Sequence, residues 1–157
     1  MDMPKPTPQH DRLAAFEGTW EGDETLDPAP WNPVAKAARG RFVTKRILDG
    51  LFLQTDYEQR QGGAVAFRGH GVYGFDVKDG TYTMHWYDSM GSEPASVPRG
   101  RFEGGVLTFA ADAPFGKVQY VYELHGADEF SFRIRTSADG GSTWKRIMEG
   151  RYRRARA

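Results

Sequence analysis

Cysteine is missing from all 157 residues. That excludes disulfides, thiolate metal sites and a cysteine nucleophile together. Charge of one sign is also missing: 21 Lys and Arg face 21 Asp and Glu, a formal net charge of zero. Gripping nucleic acid or an anionic membrane surface needs a positive excess, so neither partner is expected. No apolar run reaches the roughly 18 residues that a membrane-spanning helix needs. The start, Met1-Asp2-Met3-Pro4-Lys5-Pro6-Thr7-Pro8, has an acid and prolines where a secretory signal would place apolar residues. A cytoplasmic protein is therefore expected. Histidine is sparse, and His10, His70, His85 and His125 lack the close spacing of His-rich metal sites, so no metal and no cofactor are expected.

What is present points to strands and turns. Aromatic residues make up 13% of the chain, with 19 glycines and 9 prolines, a balance that favours β-structure over a helical bundle. Proline cannot donate to a sheet ladder, so its positions map the breaks. Prolines fall at 4, 6 and 8, at 28, 30 and 33, at 94 and 98, and at 114. Thr7 before Pro8, followed by Leu13 and Phe16, predicts one short helix that Gly18 ends. About ten strands follow, near 17–26, 40–48, 51–60, 67–77, 81–89, 99–103, 106–111, 117–125, 129–137 and 143–153. Residues 1–7 are expected as a flexible tail and 8–154 as a single domain.

The connections sort by length. Counting from the first strand, the odd ones are Asp27–Arg39, Gln61–Ala66, Met90–Pro98, Asp112–Gly116 and Ala138–Ser142. The even ones hold the turn dipeptides Asp49-Gly50, Asp79-Gly80, Gly104-Gly105 and Gly126-Ala127. In an up-and-down meander this puts long loops at one end and tight turns at the other. The fold class expected is therefore all-β, a single antiparallel barrel with a mouth, its base capped by the helix.

Gly18-Thr19-Trp20-Glu21-Gly22 at the start of the first strand resembles the Gly-x-Trp signature of lipocalin-like (calycin) barrels. Further stretches are similar to an uncharacterised bacterial lipocalin-like family of unknown function: Leu48-Asp49-Gly50, Asp56-Tyr57-Glu58, Gly69-His70-Gly71, Trp86-Tyr87-Asp88-Ser89-Met90 and Asp139-Gly140-Gly141-Ser142-Thr143-Trp144. The resemblance implies the barrel and supplies no catalytic residues. It also suggests a basic residue over Trp20, with Arg151 or Arg153 as the candidates and Arg153 as part of the signature with Gly18. The Asp139–Trp144 stretch resembles the Asp box of sialidase-type propellers, a hairpin-stabilising motif in which Asp139, Gly141 and Trp144 would each hold the turn.

Alternation from Trp20 points Glu24 and Leu26 inward and leaves Thr19, Glu21, Asp23 and Thr25 outside. It likewise selects Leu53 and Tyr57, Met84 and Trp86, Leu107 and Phe109, Tyr120 and Tyr122, and Phe132 and Ile134. The fourth strand has two registers, placing either Tyr73 and Phe75 or His70 and Val72 inside. Such an interior is either a packed core or a cavity for a partly apolar small molecule, lined by Tyr57, Tyr73, Met84, Trp86, Tyr120, Tyr122 and Phe132, with Trp31 in the proline-rich loop as a lid.

Three other readings stand beside ligand binding. His70 with Asp88 or Glu24 could form a His–carboxylate pair for an isomerase or hydrolase. Haem-binding nitrobindins share the Gly-x-Trp start, but Glu24 stands at the last glycine of their Gly-x-Trp-x-Gly-x-Gly pattern, and the C-terminal strand lacks an axial histidine, for which His70 would have to substitute. The last is a scaffold that associates through a barrel face, for instance as a homodimer.

Overall fold

In a computed structural model describing residues 1–156, side chains along the strands alternate between the interior and the outer wall, and the strands close on themselves. The strands are β1 (Gly18–Leu26), β2 (Lys36–Ile47), β3 (Phe52–Gln61), β4 (Ala64–Asp76), β5 (Thr81–Asp88), β6 (Arg99–Glu103), β7 (Val106–Ala113), β8 (Gly116–Leu124), β9 (Glu129–Ser137) and β10 (Lys145–Arg154). Each pairs antiparallel with its sequence neighbour, and β1 pairs with β10 to close the barrel. Closure leaves no strand without a neighbour on each side, although the β5–β6 seam is short, pairing only Tyr82 with Gly100 and Thr83 with Arg99. Helix α1 (Pro8–Arg12) runs into a 3-10 turn (Leu13–Phe16) and enters β1 at the base. His10 Nδ1 lies 2.9 Å from the Thr7 amide and 2.8 Å from its hydroxyl, tying off the helix start.

The expected asymmetry of connections is present in reduced form. At the mouth, residues 27–35, 89–98 and 138–144 make long loops. The expected loops at 61–66 and 112–116 are instead two-residue turns, because β3, β4, β7 and β8 extend to the pairs Gln61↔Ala64 and Ala113↔Gly116. Gly62 and Gly63 both take positive φ, 58° and 81°, which a tight turn of this twist demands. β2 likewise begins at Lys36 rather than 40, pairing Lys36–Arg39 with Asp23–Leu26.

The fourth-strand ambiguity resolves toward Tyr73 and Phe75. Asp76 pairs with Thr81, leaving a four-residue turn closed by Gly80 N–H donating to Asp76 O at 2.9 Å. Four residues preserve the parity of a two-residue turn, so His70 and Val72 face outward.

The core is a stack of aromatic rings. Trp20 is fully buried, its ring edge-on to Phe130 at 4.9 Å and its Nε1–H donating to Phe16 O at 2.9 Å. Phe42 meets Tyr57 at 4.7 Å and Tyr152 at 4.9 Å. The cation over Trp20 is Arg154, with Cζ 4.2 Å from the ring centroid, not Arg151 or Arg153. Arg153 points away and pairs with Glu129 at 3.1 Å. The reason is register: Trp20 lies opposite Arg154, and the alternation that turns Tyr152 inward turns Arg151 and Arg153 outward. Gly18 lies directly beneath the Arg154 guanidinium.

Candidate functional site

The barrel interior is filled rather than hollow. Leu13, Phe16, Phe42, Leu53, Tyr73 and Phe130 bound a void of about 20 Å³, room for about one water molecule. Tyr73, Tyr122, Met84 and Phe132 belong to this packing: the Tyr73 and Tyr122 hydroxyls meet at 2.8 Å, and Tyr122 Oη lies 4.0 Å from Met84 Sδ. Burial pushes the Tyr73 phenol up to about 12.

Toward the mouth the interior becomes polar. Glu24, predicted inward, is buried with its carboxylate surrounded by donors. Tyr57 Oη lies 2.8 and 2.7 Å from its two oxygens, Gln59 Nε2 donates at 3.1 Å and Tyr152 Oη at 2.5 Å. Gln61 Nε2 donates to Gln59 Oε1 at 3.1 Å, linking the group to the rim. The wall is cut back to admit it. A Cβ on Gly40 would stand 2.3 Å from Glu24 Oε2, and one on Gly150 2.0 Å from Tyr152 Oη. Any side chain at either place would collide with the network.

Burial raises the Glu24 carboxyl above its ordinary value, and the hydrogen bonds from Tyr152, Tyr57 and Gln59 only partly offset this. The Tyr57 and Tyr152 phenols are also raised, by burial first and by the neighbouring carboxylate second. Both therefore stay protonated and donate.

Above this network stand Trp86, Phe67, Tyr120, Leu26 and Ile134, all inward-facing and all half-buried. The Trp86 ring lies against the bare backbone of Gly69 and Gly71 and 6.2 Å from Tyr57. Its Nε1–H donates to Asp88 Oδ2 at 3.1 Å, while Asp88 Oδ1 accepts from the Met90 amide at 3.0 Å. Asp88 is also close enough to Tyr120 for its charge to raise that phenol, behind the larger effect of burial.

The expected pairing of His70 with Asp88 does not form. His70 sits opposite Tyr87 on the outer wall, where Nδ1 meets Asp56 Oδ1 at 2.7 Å. A His–carboxylate pair thus exists, but with Asp56 and outside the barrel. It borders a surface depression of about 560 Å³ that also takes in Arg41, Arg68 and Tyr87. No histidine faces the mouth: His10 covers Phe75 at the base, His85 is exposed on the outer wall and His125 bonds Ser131 in a base turn. The nitrobindin reading therefore has no histidine for an axial ligand inside the barrel.

Trp31 is 78% exposed and covers nothing. The Asp139 loop holds itself together: Asp139 accepts from Ser137 Oγ at 2.7 Å, Thr143 N at 2.9 Å and Thr143 Oγ1 at 2.5 Å, which hold its carboxyl well below the usual range. Trp144 packs beside Gly141 (φ +99°) with Arg135 over its ring at 5.3 Å. Gln59, Gln61 and Tyr152 escaped the sequence reading. The first two continue the alternation that chose Tyr57. Tyr152 is an aromatic residue between two arginines, a pattern that marks an inward position.

The whole fold recurs in solved structures. Rv2717c from M. tuberculosis superposes with a TM-score of 0.71 at 17% identity, covering 96% of this chain and 99% of its own. The S-type phycobiliprotein lyase CPES from Guillardia theta gives 0.69 at 7% identity, covering 96% and 94%. At such identities the likeness is one of fold alone. No curated protein matches the sequence significantly. The family model described as a protein of unknown function, DUF1579, matches residues 5–154.

Proposed function

We propose that this chain, which belongs to the DUF1579 family, binds a small, partly apolar molecule at the open end of its barrel. The observation that carries the reading is that the half-buried, inward-facing rings at this end have no element lying over them among the described residues. At the base, α1 and the 3-10 turn cover the comparable rings. His10 lies edge-on to Phe75 at 5.5 Å, Arg12 Cζ sits 4.4 Å over Phe102, and Tyr82 Oη donates to Gln9 O at 2.7 Å. At the mouth no element does this for Trp86, Phe67 and Tyr120 among the described residues.

The rim supports the same reading. Trp31, Val34, Met90, Val97 and Phe115 are all exposed, and all lie in the loops and turn that ring the mouth. Apolar side chains gathered at one place mark a binding face more often than scattered ones do. Because the core is filled, the reading has the ligand at the lip, on the faces of Trp86 and Tyr120 and above Gln61. Of the lining residues expected from sequence, the reading assigns Tyr57, Trp86 and Tyr120 to this site, with Trp31 in one of the loops at the same end.

The test is a thermal-shift screen of apolar and aromatic small molecules, followed by native mass spectrometry of the hits. At a ligand concentration of about 100 times Kd, stabilisation of about 2.7 kcal/mol is expected, which raises Tm by about 5–10 °C in a chain of this size. Trp86→Ala should weaken binding at least about tenfold, the loss of roughly 1.4 kcal/mol. Binding that survives Trp86→Ala unchanged, or a screen without a single hit, overturns the reading.

A further inference from the structure

Two inward-facing acids at the mouth lack a cationic partner among the described residues, while much of the outer wall pairs its acids with arginines. On the outer wall Glu21 meets Arg39 and Arg41, Asp27 meets Arg146, Glu58 meets Arg60 and Arg68, and Glu129 meets Arg151 and Arg153. Inside, Glu24 and Asp88 have no such partner among the described residues. Glu24 is held by two phenols and an amide, Asp88 by an indole N–H and a backbone amide. The inward-facing residues between them are aromatic, aliphatic or amide. Lys36, in register with Leu26, stands exposed at the lip, where water screens its charge and its contribution is small.

Resting on the proposed binding site, we infer that the mouth selects an organic cation, a protonated amine or quaternary ammonium carried on an apolar or aromatic body. Three features converge on that class. The Asp88 carboxylate keeps unused acceptor capacity beyond its two hydrogen bonds, since an ionised carboxylate offers about four acceptor sites. Trp86, Tyr120 and Phe67 offer ring faces, which attract a cation through their quadrupoles, and more strongly when it is desolvated. Glu24 below carries no positive charge in either protonation state, so nothing inside would neutralise an anion. A carboxylate ligand would meet a like charge at Asp88 and lose hydration without replacement.

Isothermal titration with three probes of one skeleton tests this: 1-naphthylmethylammonium, 1-naphthylmethanol and 1-naphthoate. The cation should bind at least about tenfold more tightly than the alcohol, a difference of roughly 1.4 kcal/mol, and the carboxylate most weakly. Raising ionic strength should weaken the cation, leave the alcohol unchanged and ease the repulsion of the carboxylate, because both charged probes meet Asp88 through a screened charge–charge part. Asp88→Asn removes the charge and keeps an acceptor for only one of the two N–H donors, since its amide nitrogen cannot accept from the other; measured against the alcohol in the same variant, the cation should come to within about threefold, most of that roughly 1.4 kcal/mol gap being lost. If the carboxylate binds as well as the cation, or Asp88→Asn lowers all three equally, the charge inference falls while the binding site stands. If none of the three binds and the wider screen is empty, both fall.

Discussion

The two ends of the barrel are made from the same alternating strands and finish in opposite ways. At the base, Trp20, Leu53, Tyr82, Leu107 and Phe130 are buried under the helix and its 3-10 turn, and Arg154 seals the Trp20 ring. At the mouth, Trp86, Phe67 and Tyr120 keep part of their faces open over a buried carboxylate. The base spends its aromatic residues on packing. The mouth keeps equally large rings partly exposed, which stability alone does not call for, and places polar groups beneath them. The difference separates a region built to hold the fold from one built to meet something else.

That contrast breaks first at the two tryptophans. Trp20→Ala removes a fully buried ring and the Nε1–H bond to Phe16 O, and should cost about 3–5 kcal/mol. Trp86→Ala removes a half-buried ring and should cost about 1–2 kcal/mol by the smaller area it withdraws from water. Urea unfolding of both variants measures the gap, and equal losses would erase the distinction between the ends.

The buried carboxylate gives the next largest effect. Glu24→Ala leaves two phenols and an amide without their acceptor and should cost about 2–4 kcal/mol. The pH dependence is separable with Glu24→Gln. Because burial holds the folded pKa above the ordinary 4.5, the folded state binds this proton more tightly than the unfolded state does. Its contribution is fully present below pH 4.5 and is lost as pH rises through the folded pKa. The stability of the native protein relative to Glu24→Gln should therefore fall as pH climbs above 4.5. A difference that rises over the same range would mean that the hydrogen bonds outweigh burial.

The smallest effect distinguishes neighbouring arginines. Arg154→Ala loses the contact over Trp20 and the hydrogen bond from Nε to Ala127 O, and should cost about 1–2 kcal/mol. Arg153→Ala, with its side chain 83% exposed, should leave the unfolding midpoint where it is. The reverse order would restore Arg153 as the cation that covers the base.

Much of this barrel was legible before its coordinates. Turn dipeptides and prolines located the strands, and alternation from Trp20 correctly turned Glu24, Tyr57 and Trp86 inward while leaving Glu21 and Asp23 outside. These features are local: period-two alternation and turn chemistry operate over a few residues. Glu24 and Tyr57 of the mouth network were legible for the same reason, and Gln59 and Gln61, which were not picked out, sit on the face that Tyr57 defines.

Contacts across the barrel were another matter. Whether His70 meets Asp88 or Asp56, whether Arg153 or Arg154 covers Trp20, and whether Tyr152 reaches Glu24 all depend on stagger between strands far apart in sequence. The β1–β10 register and the bulge at Gln59/Arg60 exist only once the sheet has closed. Nor does alternation say whether inward rings fill the space or line a void, because that depends on barrel diameter and strand tilt. By itself the sequence determined an all-β chain of alternating strands, its order of turns and loops, and which side chains face in. Tertiary structure alone decided that the base is packed shut, that a carboxylate without a cationic partner lies beneath the mouth, and that the mouth stays open. Each of those is a meeting of residues that only ring closure brings together.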